Sequence, residues 1–260
     1  MKFRSWRVFM TYKGALVRWL SAGLLIAACG ILLNGGGNLA GAQTFGIGAH
    51  RAKCYIVFMD ETGSDIGDWN AMRDQAAKIA ARMNSGDELT VIAINDRGGE
   101  AGNVRVPLQA LHVSSILKTA ELNRKREAIV QQVRSLTPQG RPRRTDIVGA
   151  IRQALQITNE ALAMSRQLDQ HTDVDIVLAF FSDMQQTPKM PKAAEMNGIH
   201  FPQGTKGYCF YVAAPGKNGI QSTVGIWRPL LNSAGIAITD NDFHQQGTVD
   251  FAIDTVFPPR

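Results

Sequence analysis

Five apolar residues in a row, Tyr55-Ile56-Val57-Phe58-Met59, constrain the fold of this chain more than any other stretch. The run is β-branched and aromatic and too short for a helix. It therefore predicts a strand buried on both faces, as in a parallel sheet covered by helices. The run ends in Asp60, and Thr62 and Ser64 follow at alternate positions. A carboxylate and two hydroxyls in the turn after such a strand lie at the carboxyl edge of the sheet, where open α/β sheets bind ligands. Oxygen donors suit a hard cation such as Mg²⁺. The same residue types also build ordinary turns, so the metal reading needs further ligands from elsewhere in the chain.

The residues that follow alternate between helical and strand patterns. Asp65 or Asp68 can cap a helix that carries Trp69, Met72, Ala76, Ile79, Ala80 and Met83 on one face, and Asn84-Ser85-Gly86 ends it. Leu89 to Ile94 predicts the next strand. Val104 to Val113 predicts a third, whose short connection allows an antiparallel neighbour but no parallel one. A polar helix is expected over Ile116 to Leu136, then a loop at Pro138-Gln139-Gly140-Arg141-Pro142, then a helix from Asp146 to about Leu168. The segment from Asp173 to Ser182 is the most apolar strand pattern of the chain, and Asp183 ends it. Tyr208 to Ala214 reads as a strand and Val224 to Ala234 as a short helix limited or kinked by Pro229. Ile236 to Thr239 suits an edge strand, and residues 241–260 are expected as a C-terminal tail. This order predicts one α/β domain over 53–240, with a mainly parallel sheet, one antiparallel edge strand and helices on both faces.

Two buried strands ending in aspartate, Asp60 and Asp183, suggest carboxylates converging on one crevice. Thr145, in a loop entering a helix, adds a hydroxyl. Asp60-x-Thr62-x-Ser64, then Thr145, then Asp183 resembles the von Willebrand factor A family, whose metal-ion-dependent adhesion site has the pattern Asp-x-Ser-x-Ser, Thr and Asp. Thr62 stands where the family has serine and keeps the hydroxyl. Met184 stands where the family usually has glycine, which sets the local loop shape apart. The resemblance implies a Rossmann-like sheet with the Asp60 strand beside the Asp183 strand and the Cys209 strand beyond. It also implies Mg²⁺ or Mn²⁺ at Asp60, Thr62, Ser64, Thr145 and Asp183, and a protein partner offering an acidic residue to the metal.

Residues 1–42 are set apart from this domain. Lys2, Arg4, Arg7, Lys13 and Arg18 precede an apolar run from Trp19 to Leu33, and a Gly-rich stretch ends in Ala40-Gly41-Ala42. That order is the order of a secretory signal peptide. The run of 15 residues is short beside the roughly 20 of a membrane-spanning helix. Cleavage after Ala42, a linker over 43–52 and a periplasmic or secreted location are therefore expected. Two other readings stay open. Ile26-Ala27-Ala28-Cys29 resembles a bacterial lipoprotein cleavage box, but apolar Ile31-Leu32-Leu33 right after the cysteine argues against it, and the long basic segment suits an uncleaved membrane anchor. Of 28 basic and 22 acidic side chains, five basic ones lie in this leader, so the remainder carries a net charge of +1. Global charge gives nucleic-acid binding no support.

Cys54 and Cys209 remain after such cleavage. On strands two apart, as the resemblance implies, they lie roughly 9 to 10 Å from each other, beyond disulfide reach, and are expected as buried free thiols. The scattered histidines lack zinc-ligand spacing. Basic residues gather between Lys118 and Arg144, either as a solvated helix face or, at Arg141, Arg143 and Arg144, as a rim that attracts an acidic partner. The function expected is a non-enzymatic, exported, metal-dependent binding module. The alternatives are a metal-dependent phosphohydrolase, with Glu61 or Asp65 as a base, and a metal-free envelope scaffold.

Overall fold

A central strand, β1 (Lys53–Asp60), is flanked on both sides by parallel partners, β2 (Glu88–Ile94) and β4 (Asp175–Phe181). The computed structural model of the protein describes residues 51–62, 67–112, 119–140, 142–167, 174–213 and 219–259. The expectations for the leader, residues 43–50, Ser64, Asp65 and Arg141 lie outside them. Outward from β2 runs β3 (Val104–Ala110), which is antiparallel; outward from β4 run β5 (Lys206–Phe210) and β6 (Phe243–His244), both parallel. The order is β3-β2-β1-β4-β5-β6. The predicted α/β class, the antiparallel edge strand and the neighbours of the Asp60 strand are all as expected. Residues His50–Arg260 form one compact unit.

Alternation along β1 divides the core. Cys54, Ile56 and Phe58 face α3 (Ile147–Gln167) and α4 (Ile220–Ser233), where Ile151, Ala154, Trp227 and Leu231 close the layer. Tyr55, Val57 and Met59 face α1 (Trp69–Ala81), α2 (Thr119–Arg134) and α5 (Val249–Val256). Phe58 stacks on Phe180 with ring centroids 4.3 Å apart, joining β1 to β4. Burying a side chain of that size contributes about 1.5–3 kcal/mol. Cys54 and Cys209 are buried free thiols, separated by β4 as the resemblance implied.

Three expectations change. Residues 241–260 are no tail: they supply β6 and α5, and Val249, Ala252 and Ile253 are buried in the second core layer. Ile236 to Thr239 forms a single bridge, Lys206 to Ala237, and the sixth strand comes from Phe243–His244 instead. Helix α4 is longer than expected, Ile220–Ser233, and Pro229 lies inside it without ending it. Proline cannot donate to the carbonyl four residues earlier; here that is Gly225, and both residues are exposed, so water can take the freed carbonyl. Among the described residues no helix is long and apolar enough to cross a membrane.

Candidate metal site

The carboxyl ends of β1 and β4 meet at Asp60. The parallel register pairs Met59 with Phe181, which brings Asp60 level with the residues that leave β4. Asp60 is fully buried. Its Oδ1 accepts hydrogen bonds from the Thr62 amide at 2.9 Å and the Thr62 hydroxyl at 2.6 Å. Its Oδ2 accepts from the Ser182 hydroxyl at 2.7 Å. A carboxylate offers about four lone-pair positions, so three are used by neutral donors. The Thr62 hydroxyl gives its hydrogen to Asp60, leaving its lone pairs for another group.

Asp183 follows β4 by two residues and is half-buried. Its Oδ1 accepts from the Gln185 amide at 2.8 Å, a local turn that fixes the carboxylate. Burial raises the Asp60 pKa above the ordinary aspartate value of 3.8, and the nearby Asp183 charge raises it further, against the lowering by Thr62 and Ser182. Thr145 is buried on the same edge, just before α3. Its amide donates to Thr187 Oγ1 at 2.8 Å, and its carbonyl accepts from the Thr187 amide at 3.1 Å. The Asp146 amide, next along, donates to the Asn95 carbonyl beyond the end of β2, while Asp146 Oδ1 caps the helix through the Gly149 amide at 2.8 Å. Asp60, Thr62, Thr145 and Asp183 thus share one edge of the sheet.

The segment Ser182–Thr187 knits this edge together. Ser182 binds Asp60 and Thr187 binds Thr145; Gln186 Oε1 accepts from the Val148 amide in the first turn of α3 at 3.1 Å. Met184 takes φ of 60°, the left-handed conformation that favours glycine. Met184 therefore adopts a backbone conformation that glycine takes more readily. Its amide donates to Ser182 Oγ at 3.0 Å, and its carbonyl accepts from the Trp227 indole at 2.7 Å.

Sequence reasoning assigned no role to Ser182, Gln186 or Thr187, whose hydroxyls and amide looked like general loop polarity. It also offered Glu61 or Asp65 as a base, and Asp65 lies outside the described residues. Instead Glu61 is fully buried and tied to Arg105 by two bonds, Nε to Oε1 at 3.0 Å and Nη2 to Oε2 at 2.6 Å. This pair borders a polar cleft of about 450 Å³ lined by Asn95, Arg97, Gly102, Arg105, Gln139 and Pro142. Two basic residues of α2 are engaged by the fold itself, Lys125 on the His112 carbonyl and Arg126 on the Met83 carbonyl. Arg143 and Arg144 are exposed beside Thr145. Among the described residues no three His, Cys, Asp or Glu side chains gather around a point, so a cation here depends on hydroxyls as well as carboxylates.

No family model and no curated protein sequence matches the chain. Among solved structures it is similar to proximal thread matrix protein 1 from the mussel byssus, at 11% identity and a TM-score of 0.48, over 79% of this chain and 48% of that one. A second structure of that protein, with a zinc-occupied MIDAS motif, aligns at 14% identity and a TM-score of 0.44, over 79% and 46%. An aerotolerance-related membrane protein from Bacteroides fragilis aligns at 12% identity and a TM-score of 0.40, over 78% of this chain and 99% of that one. The chain spans about half the length of the mussel protein. The α/β fold rests on the sheet itself: five parallel strands and one antiparallel edge strand, with helices packed on both faces.

Proposed function

We propose that the chain is a binding module that engages a protein partner through Mg²⁺ or Mn²⁺ held at Asp60, Thr62, Thr145 and Asp183, with Ser64 as the sequence pattern implies. The observation that carries this reading is the buried Asp60 carboxylate, which among the described residues is held by the neutral donors of Thr62 and Ser182 and stands beside a second acid. Two carboxylates brought together in this way repel each other, and a cation relieves that repulsion. The donors are all oxygen, which fits a hard divalent ion.

When bound, the ion supplies a positive centre to which a carboxylate of the partner coordinates. The chain's own residues prepare that centre. Asp60 orients the Thr62 hydroxyl by accepting its hydrogen, as outer groups orient ligands in metal sites generally. Asp183, turned on the Gln185 amide, supplies charge at the mouth of the edge. Arg143 and Arg144 provide an exposed basic rim that draws an acidic partner. Of the two bases open to the phosphohydrolase alternative, Glu61 is engaged by Arg105. The leader pattern assigns the module to the periplasm or the exterior, free or attached through its N-terminal segment.

Calorimetry with Mg²⁺ and Mn²⁺ tests the proposal. Binding with a rise in unfolding temperature at millimolar ion supports it. No heat and no stabilisation overturn it in favour of a metal-free scaffold.

A further inference from the structure

We propose that Ser182 and Trp227 are positioning residues that hold the Asp183 turn in the shape the metal site requires, with helix α4 as its support. The inference rests on the metal reading above. Met184 is fully buried and its φ of 60° is one that a methionine does not adopt by preference. Something outside the residue must hold it, and both of its backbone polar groups are held. The Ser182 hydroxyl accepts from its amide while donating to Asp60 Oδ2, so one oxygen links the first acid of the site to the turn that carries the second. On the far side, the indole of the fully buried Trp227 fixes its carbonyl.

Helix α4 makes a second contact one turn earlier. The Gln185 side chain donates to Thr223 Oγ1 at 3.3 Å, and Thr223 Oγ1 in turn donates to the Ala213 carbonyl after β5. Thr223 and Trp227 lie four apart and so share one helix face. The Asp183 carbonyl accepts from the Ala213 amide at 3.0 Å, which closes the frame. A turn free to relax toward the usual right-handed region would rotate the peptide planes around Met184 and take the Gln185 amide away from Asp183 Oδ1. Ser182 and Trp227 prevent that rotation from opposite sides.

The test uses the full chain and Mg²⁺ alone as the probe, in wild type, Ser182→Ala, Ser182→Thr and Trp227→Phe. Affinity of the folded protein comes from calorimetry, global stability from urea unfolding, and exchange at the Met184 and Gln185 amides from the metal-free state. Ser182→Ala and Trp227→Phe should each weaken Mg²⁺ about tenfold and speed exchange at those two amides. Ser182→Thr, which keeps the hydroxyl, should stay within about threefold of wild type. A role in packing alone would lower urea stability and leave the affinity of the folded protein unchanged. Ser182→Ala is nearly isosteric and remains informative if Trp227→Phe does not fold. Unchanged affinity in Ser182→Ala, with wild type binding normally, overturns this inference and leaves the metal reading intact. A wild type that binds no Mg²⁺ overturns both.

Discussion

Glu61, wedged between Asp60 and Thr62, is tied across β2 to Arg105 on β3, and the side chains are 0% and 8% exposed. Arg105 also donates to the Gly102 carbonyl and to Gln139 Oε1. One arginine therefore anchors the first turn of the site to both loops that line the neighbouring cleft. Removing a single partner of a buried pair leaves an uncompensated charge, which costs about 3–5 kcal/mol. Arg105→Met should lose that much in urea unfolding. Replacing both residues, Glu61→Leu with Arg105→Met, should recover most of it. A single variant as stable as wild type would show that the pair is open to water.

The close approach of Gly98 to the start of α3 gives a second prediction. A Cβ on Gly98 would meet the Asp146 carbonyl oxygen at 2.2 Å and the Ala150 amide nitrogen at 2.8 Å, both of them backbone atoms that cannot turn aside. Gly98→Ala should destabilise by about 1–3 kcal/mol. Gly102→Ala, in the same loop with open space around it, should stay within about 0.5 kcal/mol. Equal urea midpoints for the two variants would remove the contact from the account.

The raised pKa of Asp60 has a definite sign in stability. The folded state holds the proton more tightly than the unfolded one, so the group stabilises the metal-free fold below the ordinary value of 3.8 and loses that contribution as pH rises through the folded value. Asp60→Asn should therefore gain on wild type as pH climbs out of the acid range, measured by urea unfolding with chelator present. A gap between the two proteins that does not change with pH would contradict the raised value.

Ligand removal should separate the roles at the edge. Binding of an ion to the folded state alone adds about 2.7 kcal/mol at 100 times Kd. Asp183→Ala removes one acid together with its repulsion of Asp60, so metal-free stability should stay within about 1 kcal/mol of wild type while the Mg²⁺-dependent rise in Tm disappears. Thr145→Ala deletes a neutral donor that water can replace, and should shrink the rise without abolishing it. Scanning calorimetry of the three proteins decides the order; a larger loss in Thr145→Ala would reverse the assignment.

Much of the edge was legible because its elements announce themselves locally. Tyr55–Met59 is an unbroken apolar run ended by Asp60, Ile176–Phe181 is another followed by Ser182 and Asp183, and Thr145 stands at a helix start. The strand ends were therefore visible locally, while the sheet order and the donor set came from the family resemblance. Pairings over long separations were not legible: nothing near Glu61 points to Arg105, 44 residues away. Phe243–His244 is too short to show a period. Val249, Ala252, Ile253 and Val256 do carry a helical spacing, but over eight residues that signal is faint. Met184 is the instructive residue. Its type argues against the glycine-like turn, and the turn forms because Ser182 and Trp227 outweigh the residue's own preference, which is worth about 1–2 kcal/mol.

The wiring of Ser182–Thr187 also bears on when the site comes into being. Its contacts span 122 residues to Asp60, 42 to Thr145 and 43 to Trp227, so none can form from a local stretch of chain. Loops of that length close late, after the strands that bring their ends together have docked. Metal uptake should then be absent from every early species during refolding and should rise with the slowest phase seen by tryptophan fluorescence. Stopped-flow refolding with a Mg²⁺ indicator checks this; uptake ahead of that phase would mean that the site matures before the sheet. On this timing a nascent chain should not sequester the ion before residue 227 has been made, and binding competence should coincide with the completed fold.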